Sequence, residues 1–366
     1  MNTKRNYGID LLRIVSMIMI PVLHILGQGA ILDRSSALSG SYKAAWLLEI
    51  VCYCAVNVYG IISGYVGYGK KRKLSRFLQV YLQVIFYTLL GCIVFAFYKP
   101  ELVNAEVIRE SVFPFAYEVY WYYTAYFCLY FFMPFLDKLI ERNGKEENRK
   151  MLLAALVIFS ILQTAFHEDF AHTNHGYSFL WLALMYLVGA YIRKYDVGRR
   201  ENRLKYLLGY VLCALFVWFW KIGSEQVRGS LTGWYEPSVR WINYVSPFIV
   251  VCAVSLVLYF KEVRLGNKLA KIVCFFSPAS FDVYLAHQIP LVRDTFIIGA
   301  FAVWLAWNPF VMVMAVIGSA ISIWLIGSLI GRLRILIFSL FRMNKLCDIL
   351  AGGIENFTGR LLKYNP

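Results

Sequence analysis

The sequence predicts an all-α membrane protein, a polytopic helix bundle of about ten transmembrane helices with both termini in the cytoplasm. Of the 366 residues, 60% are hydrophobic and only 16% are charged, whereas a soluble domain carries about a quarter charged residues. The apolar residues also fall into runs of about 20 residues, the length that crosses a bilayer. The basic residues lie mainly between alternate runs, which gives the orientation.

Ten apolar segments follow one another along the chain. They are 9–31, 44–66, 77–98, 119–137, 151–166, 178–192, 206–220, 243–260, 274–292 and 310–331. A further stretch, 296–308, is either an eleventh span or a re-entrant piece. We treat 1–340 as one membrane domain and 341–366 as a short basic cytoplasmic tail.

The basic residues predict which loops are cytoplasmic, because short cytoplasmic loops hold an excess of Lys and Arg. With the N-terminus inside, 29 of the 37 Lys and Arg residues lie at the cytoplasmic face. An eleventh complete span would place the basic tail outside, so ten spans are favoured. Topology also accounts for the net charge of +15, and no nucleic-acid partner is needed to explain it.

The first span contains two ionisable residues, Arg13 and His24. A charged side chain inside a membrane helix costs about 2.5–3.5 kcal/mol even on an insertion scale, so such residues are functional candidates. Eleven residues make about three helical turns, which places both side chains on nearly the same face, about 16 Å apart. We expect Arg13 near the cytoplasmic surface and His24 near the membrane midplane.

The loop before the third span is strongly basic and includes Arg72 and Arg76. One interpretation is topogenic charge that also attracts anionic lipid. The other is a site for a phosphate-rich ligand, because the Arg guanidinium matches phosphate oxygens bidentately. The two interpretations are compatible.

Polar side chains recur inside two later spans. Tyr126 and Tyr130 lie one turn apart in the fourth span, where their hydroxyls need partners or a wet cavity. The ninth span contains Ser280, Tyr284 and His287, which either form packing hydrogen bonds or line a cavity. Most of the eight cysteines fall in apolar segments without metal-binding spacing, so we expect free thiols and no metal.

Four segments resemble the acyltransferase-3 family of integral membrane acyltransferases. RNYGIDLLRIVSMIMIPVLH fits the family's R-x10-H signature, and VNVYGIISGYV is similar to its second-span pattern. YWYYTAYFCLYFFMP resembles its Trp- and Tyr-rich fourth span, and SFDVYLAHQIP its S-x-x-x-Y-L-x-H segment. No single motif is highly specific, but all four occur in the family's order, and the resemblance covers about residues 5 to 340.

The resemblance implies an enzyme of the bacterial plasma membrane that takes an acyl group, usually acetyl, from cytoplasmic acyl-CoA to a hydroxyl of a cell-surface glycan or glycolipid. Membrane lipids and glycan-assembly proteins are the other expected partners. Histidine suits the removal of the hydroxyl proton, so we expect His24 to act as the base or as a covalent acyl carrier. Arg13, with Arg72 and Arg76, would bind the anionic part of acyl-CoA. The remaining cavity residues would be Tyr126, Tyr130, Ser280, Tyr284 and His287.

Two departures limit what the resemblance implies. Asp282 stands where family members often have a small residue, which suggests a different acceptor. No hydrolase-like domain follows the last span, as in stand-alone members of the family. The alternative function is a polytopic exporter or flippase of glycan intermediates, since buried charges and an aromatic cavity also suit a transporter.

Overall fold

The computed structural model describes residues 5–198, 200–235 and 237–363, and in these residues the chain is all α-helical, without β-strands. The α-helices are α1 (Tyr7–Leu26), α2 (Ile31–Arg34), α3 (Gly40–Cys52), α4 (Ala55–Gly67), α5 (Leu74–Tyr98), α6 (Ala105–Val112), α7 (Trp121–Arg142), α8 (Lys145–Leu156), α9 (Gln163–Phe166), α10 (Phe179–Lys194), α11 (Arg203–Thr232), α12 (Pro247–Lys261), α13 (Asn267–Phe276), α14 (Ser280–His287), α15 (Pro290–Phe296), α16 (Pro309–Leu340) and α17 (Met343–Lys363). A π-helical segment, Val157–Leu162, joins α8 to α9.

Seven helical segments of the described chain are long and apolar enough to cross a membrane. They are Tyr7–Leu26, Gly40–Gly67, Leu74–Tyr98, Lys145–Phe166, Arg203–Thr232, Asn267–His287 and Pro309–Leu340. The other three predicted spans contain α7, α10 and α12, which have 22, 16 and 15 residues. The predicted all-α, multi-pass membrane architecture is confirmed, while the count of ten spans stays a prediction.

The stretch 296–308 is not an eleventh span. After α15 the chain forms turns and then a 3₁₀ helix of five residues, Ala302–Ala306, which is too short to cross a bilayer. Its backbone instead pairs with the chain that follows α1: the Gly299 amide donates to Gln28 at 2.9 Å, and the Phe301 amide donates to Gly29 at 3.1 Å. The segment therefore folds back over the end of the first helix.

Two of the predicted spans are broken rather than continuous. The second consists of α3 and α4, with the break at Tyr53 and Cys54. The ninth consists of α13 and α14, joined by a 3₁₀ turn that contains Pro278, whose nitrogen has no proton to donate to the helix. Irregular backbone at membrane depth is tolerated where protein or a cavity surrounds it.

The helix ends next to the basic loops lie together on one side of the bundle. Asn6, just before α1, donates to the Lys261 carbonyl at the end of α12 (2.9 Å). The Lys261 ammonium bonds Asp196 after α10 (2.8 Å), and Lys194 donates to the Ile140 carbonyl near the end of α7 (2.6 Å). We call this side of the bundle the basic face; its grouping of basic loops agrees with the charge pattern of the sequence.

Helices α4 and α10 approach each other backbone to backbone. A Cβ atom added at Gly64 would lie 1.9 Å from the Tyr186 carbonyl oxygen, and one added at Gly189 would lie 1.9 Å from the Ile61 carbonyl oxygen. Such contacts are typical of membrane helices, where small residues at an interface allow close packing. Helix α4 also packs against α1, the helix that contains Arg13 and His24.

Candidate active site

The two intramembrane histidines form a direct pair. His24 Nδ1 lies 2.8 Å from His287 Nε2, and the ring centroids are 5.0 Å apart. His24 lies in the last turn of α1 and His287 is the last residue of α14, so two helices that run away from the basic face bring the rings together at their ends. His287 is buried, whereas His24 is only partly buried.

The hydrogen-bond network assigns the protons of the pair. His287 Nδ1 lies 2.5 Å from the Val283 carbonyl oxygen, which can only accept, so Nδ1 is protonated. In the neutral ring His287 Nε2 is then an acceptor, and it receives the proton of His24 Nδ1. The Nε2 lone pair of His24 is left without a partner among the described residues, which is the state required of a base or a nucleophile.

His24 lies nearer to the end of its helix than the apolar segment 9–31 suggested. Since α1 ends at Leu26, His24 lies two residues from the end of the helix rather than midway along the segment 9–31. The helix ends where Gly27 and Gly29 enter a turn that the 299–301 segment covers. The histidine pair therefore lies at the end of α1 that points away from the basic face.

A pair of amide side chains adjoins the histidines. Gln28 Nε2 donates to Gln288 Oε1 at 3.2 Å, and Gln288 Nε2 donates to Gln28 Oε1 at 3.0 Å. The sequence analysis missed this pair. The only available signal was position, because each glutamine follows a candidate histidine by a turn or less in the sequence.

Arg13 lies on the same helix, closer to the basic face. Its Nη1 is 3.2 Å from Asp10 Oδ1, and the same oxygen accepts from the Ser277 hydroxyl at 3.1 Å. The Arg13 carbonyl accepts from the Tyr59 hydroxyl at 2.8 Å. The Arg13 side chain is 28% exposed, and among the described residues only Nη1 of its guanidinium has a hydrogen-bond partner.

The two arginines of the basic loop differ in their surroundings. Arg72 Nη2 donates to the Gly67 carbonyl (2.8 Å) and to the Tyr186 hydroxyl (2.7 Å), and it lies 3.8 Å from the Asp137 carboxylate. Arg72 is thus held inside the protein, where it joins the end of α4 to α7 and α10. Arg76 is exposed, and within the described residues its side chain bonds only to Gln79, at 3.2 Å.

Lys70 belongs to the same positive cluster. Burial lowers the pKa of its ammonium, and the nearby charges of Arg13, Arg72, Arg193 and Arg76 lower it further. Mutual repulsion of this kind disfavours the charged state of Lys70 unless a counter-anion is present. The sequence analysis did not identify Arg193, which lies more than 100 positions further along the chain.

Aromatic side chains connect this cluster to the histidines. Tyr126 stacks on Tyr122 with ring centroids 6.5 Å apart, Tyr122 contacts Tyr284 (6.2 Å), and Tyr284 contacts His287 (6.3 Å). Tyr59 approaches Tyr122 at 6.4 Å. The structure thus brings Tyr126, Tyr284 and His287 to one row of rings that leads from the basic cluster to the histidine pair.

Ser280 and Tyr130 relate to this row differently. The Ser280 hydroxyl is buried without a hydrogen-bond partner among the described residues, and it lies close to Tyr59 in the row. The Tyr130 hydroxyl is occupied, because it donates to the Lys73 carbonyl at 2.8 Å just before α5. Tyr130 therefore anchors the basic loop.

Asp282 has a structural partner that the sequence did not reveal. Its carboxylate accepts two bonds from Arg334 of α16, at 3.0 Å from Nε and 2.8 Å from Nη2, and a third from Gln83 at 2.9 Å. Asp282 is fully buried. A buried carboxylate needs such compensation, and through these bonds Asp282 joins α14 to α16 and α5.

The geometry agrees with the family comparison. The chain matches the acyltransferase domain model of the acyltransferase-3 family over residues 6–328. No curated protein and no solved structure matches the chain. Because the family model spans most of the chain, including Arg13 and both histidines, this protein belongs to the acyltransferase-3 family and is an integral, multi-pass membrane acyltransferase.

Proposed function

We propose that this acyltransferase moves an acyl group, acetyl in the simplest case, from acyl-CoA to a hydroxyl of a surface glycan or glycolipid at a bacterial plasma membrane. The observation that supports this proposal best is the His24–His287 pair, in which His24 Nε2 is free and the other three ring nitrogens are engaged. In this proposal the basic face is cytoplasmic.

The donor enters from the basic face. The phosphates of acyl-CoA bind Arg76, Lys70 and Arg13, which are cationic and reachable from that side. Arg72 holds the loop in place from within. The thioester arm extends along the aromatic row toward His24, and Arg13 and His24 are about 16 Å apart along α1.

The transfer is a single acyl exchange between sulfur and oxygen. His24 Nε2 takes the proton of the acceptor hydroxyl as its oxygen attacks the thioester carbonyl, which forms the C–O bond. The C–S bond then breaks, and the proton passes from His24 to the CoA thiolate. His287 accepts from His24 Nδ1 throughout, and it thereby holds the ring in the tautomer that leaves Nε2 as the base.

The same nitrogen can instead attack the thioester itself. The acyl group would then reside on His24 Nε2, with release of CoA, until the acceptor hydroxyl displaces it. An exporter of glycan intermediates would not require a free imidazole nitrogen in this geometry.

Binding of the donor tests the proposal against the exporter. A ligand at one hundred times its Kd stabilises the folded protein by about 2.7 kcal/mol, so acetyl-CoA should raise the melting temperature of the detergent-solubilised protein. Pantetheine, the part of CoA that carries the thiol and has no phosphate groups, is the control and should have a much smaller effect. If acetyl-CoA gave no stabilisation and no CoA were released, other acyl-CoA donors would be tested next, and their failure would reject the enzyme proposal.

A further inference from the structure

A second candidate site lies on the side of the bundle opposite the basic loops, and one of its walls begins two residues after His287. It is a cavity of about 360 Å³. Its walls come from three parts of the chain: α5 with α6, the loop that leads to α7, and the residues 289–294 that follow α14. Since α6 connects the far end of α5 to the start of α7, the cavity lies at the far side of the bundle from the donor cluster.

One wall of the cavity follows directly on the helix that ends at His287. This wall contains Ile289, Pro290 and Leu291, which follow His287 within four residues. Arg293, in the same wall, lies near enough to His24, Tyr120 and Tyr284 for its charge to act on each of them. A ligand in this cavity would therefore approach the histidine pair from the side away from the donor cluster.

The charges that face the cavity are mostly negative. Arg293 forms an ion pair with Asp294 at 2.7 Å, so these two charges offset each other. Glu110, partly buried in α6, and Glu118, in the following loop, also line the cavity. Within the described residues neither glutamate has an ion-pair partner, which leaves two carboxylates uncompensated.

Glu118 is also held in an uncommon backbone conformation. Its φ is +52°, in the left-handed region that residues other than Gly, Asn and Asp seldom adopt. A glutamate in that region costs stability unless the surrounding structure imposes it. The Glu118 side chain lines the cavity and is exposed to solvent.

We propose that this cavity binds the acceptor and that the acceptor is a hydroxyl-rich ligand that carries a protonated amine, such as an amino sugar. The inference rests on the acyl-transfer function proposed above. Carboxylates accept hydrogen bonds from sugar hydroxyls, and they form charge-assisted bonds with ammonium groups. The two uncompensated carboxylates disfavour uronates and phosphorylated sugars in the cavity, because like charges repel.

The test compares three acceptor probes of equal length. Purified protein in lipid nanodiscs receives radiolabelled acetyl-CoA with triglucosamine, tri-N-acetylchitotriose or trigalacturonate, and acceptor-dependent CoA release and alkali-labile acetyl ester are measured. We expect the lowest KM for triglucosamine, a KM at least several-fold higher for the neutral trimer, and no transfer to the anionic trimer. Alkali lability separates esters on oxygen from amides on nitrogen.

A pair of matched variants assigns the selectivity to the cavity. Glu110→Gln combined with Glu118→Gln should raise the KM for triglucosamine about tenfold or more and remove its advantage over the neutral trimer. The KM for acetyl-CoA should not change. The control is Glu106→Gln on the same helix, because Glu106 is exposed, lies outside the cavity and is paired with Arg109.

Three results would overturn the assignment. They are transfer to trigalacturonate as efficient as to triglucosamine, a double variant that keeps the wild-type preference, and CoA release by the wild type that none of the three probes accelerates. A wild type that neither binds acetyl-CoA nor releases CoA would instead reject the proposed function. The two failures are therefore distinguishable in one experiment.

Discussion

His24 and His287, 263 positions apart in the sequence, share one hydrogen bond of 2.8 Å between Nδ1 and Nε2. The Val283 carbonyl fixes the proton on the far nitrogen of His287, and so the bond has a direction. Through this chain of bonds a backbone carbonyl determines which nitrogen of His24 is free. This relay distinguishes His287 as a positioning residue from His24 as the catalytic residue.

Replacement of His287 tests that positioning role. His287→Ala removes the acceptor for His24 Nδ1, and we expect a fall in acyl-dependent CoA release of about 10²-fold. His287→Gln offers a carbonyl oxygen at a similar reach, so it should retain more activity than the alanine variant at equal expression. Equal losses in the two variants, with unchanged pH profiles, would mean that His287 only fills space.

The two arginines of the basic loop should give different phenotypes. Arg76→Ala removes an exposed cation, so KM for acetyl-CoA should rise about tenfold while kcat and the melting temperature stay near wild type. Arg72→Ala removes the donor to Tyr186 and to the Gly67 carbonyl and the cation beside Asp137, which costs about 1–3 kcal/mol of stability. Steady-state kinetics and melting curves measure both. If instead Arg72→Ala raised the KM and Arg76→Ala lowered the melting temperature, Arg72 would be the residue that binds acetyl-CoA.

The buried ion pair between Asp282 and Arg334 predicts a thermodynamic coupling. Either Asp282→Leu or Arg334→Met alone leaves one buried charge uncompensated, which costs about 3–5 kcal/mol. The double variant should be more stable than both single variants and should still release CoA. Additive losses in the double variant would show that the two residues do not act as a pair.

The contact between α4 and α10 predicts glycine-specific losses. Gly189→Ala places a methyl group against the Ile61 carbonyl, so α4 and α10 must separate and the melting temperature should fall by several degrees. Gly318→Ala in α16 is the control because nothing lies within 4 Å of its added Cβ. A neutral Gly189→Ala variant would contradict the close approach of the two backbones.

The sequence predicted the helical class and the grouping of basic loops, because these depend on local composition and helical periodicity. It could not predict that α1 ends two residues after His24, where the segment 299–301 packs over the chain. Arg72 looked like Arg76 in the sequence, and only the fold shows that Tyr186 and Asp137 hold it. In each case the missing information was a contact with a residue far away in the sequence.

The measurement that tests the central claim most directly follows radiolabelled acetyl-CoA with wild type, His24→Ala and Arg13→Ala, recording both free CoA and label on the protein. The account predicts that His24→Ala abolishes CoA release and protein-bound label at normal expression. Arg13→Ala should lower release chiefly through weaker donor binding, so more acetyl-CoA should restore part of it. Wild-type turnover by His24→Ala would contradict the account, because another group would then have to be the base.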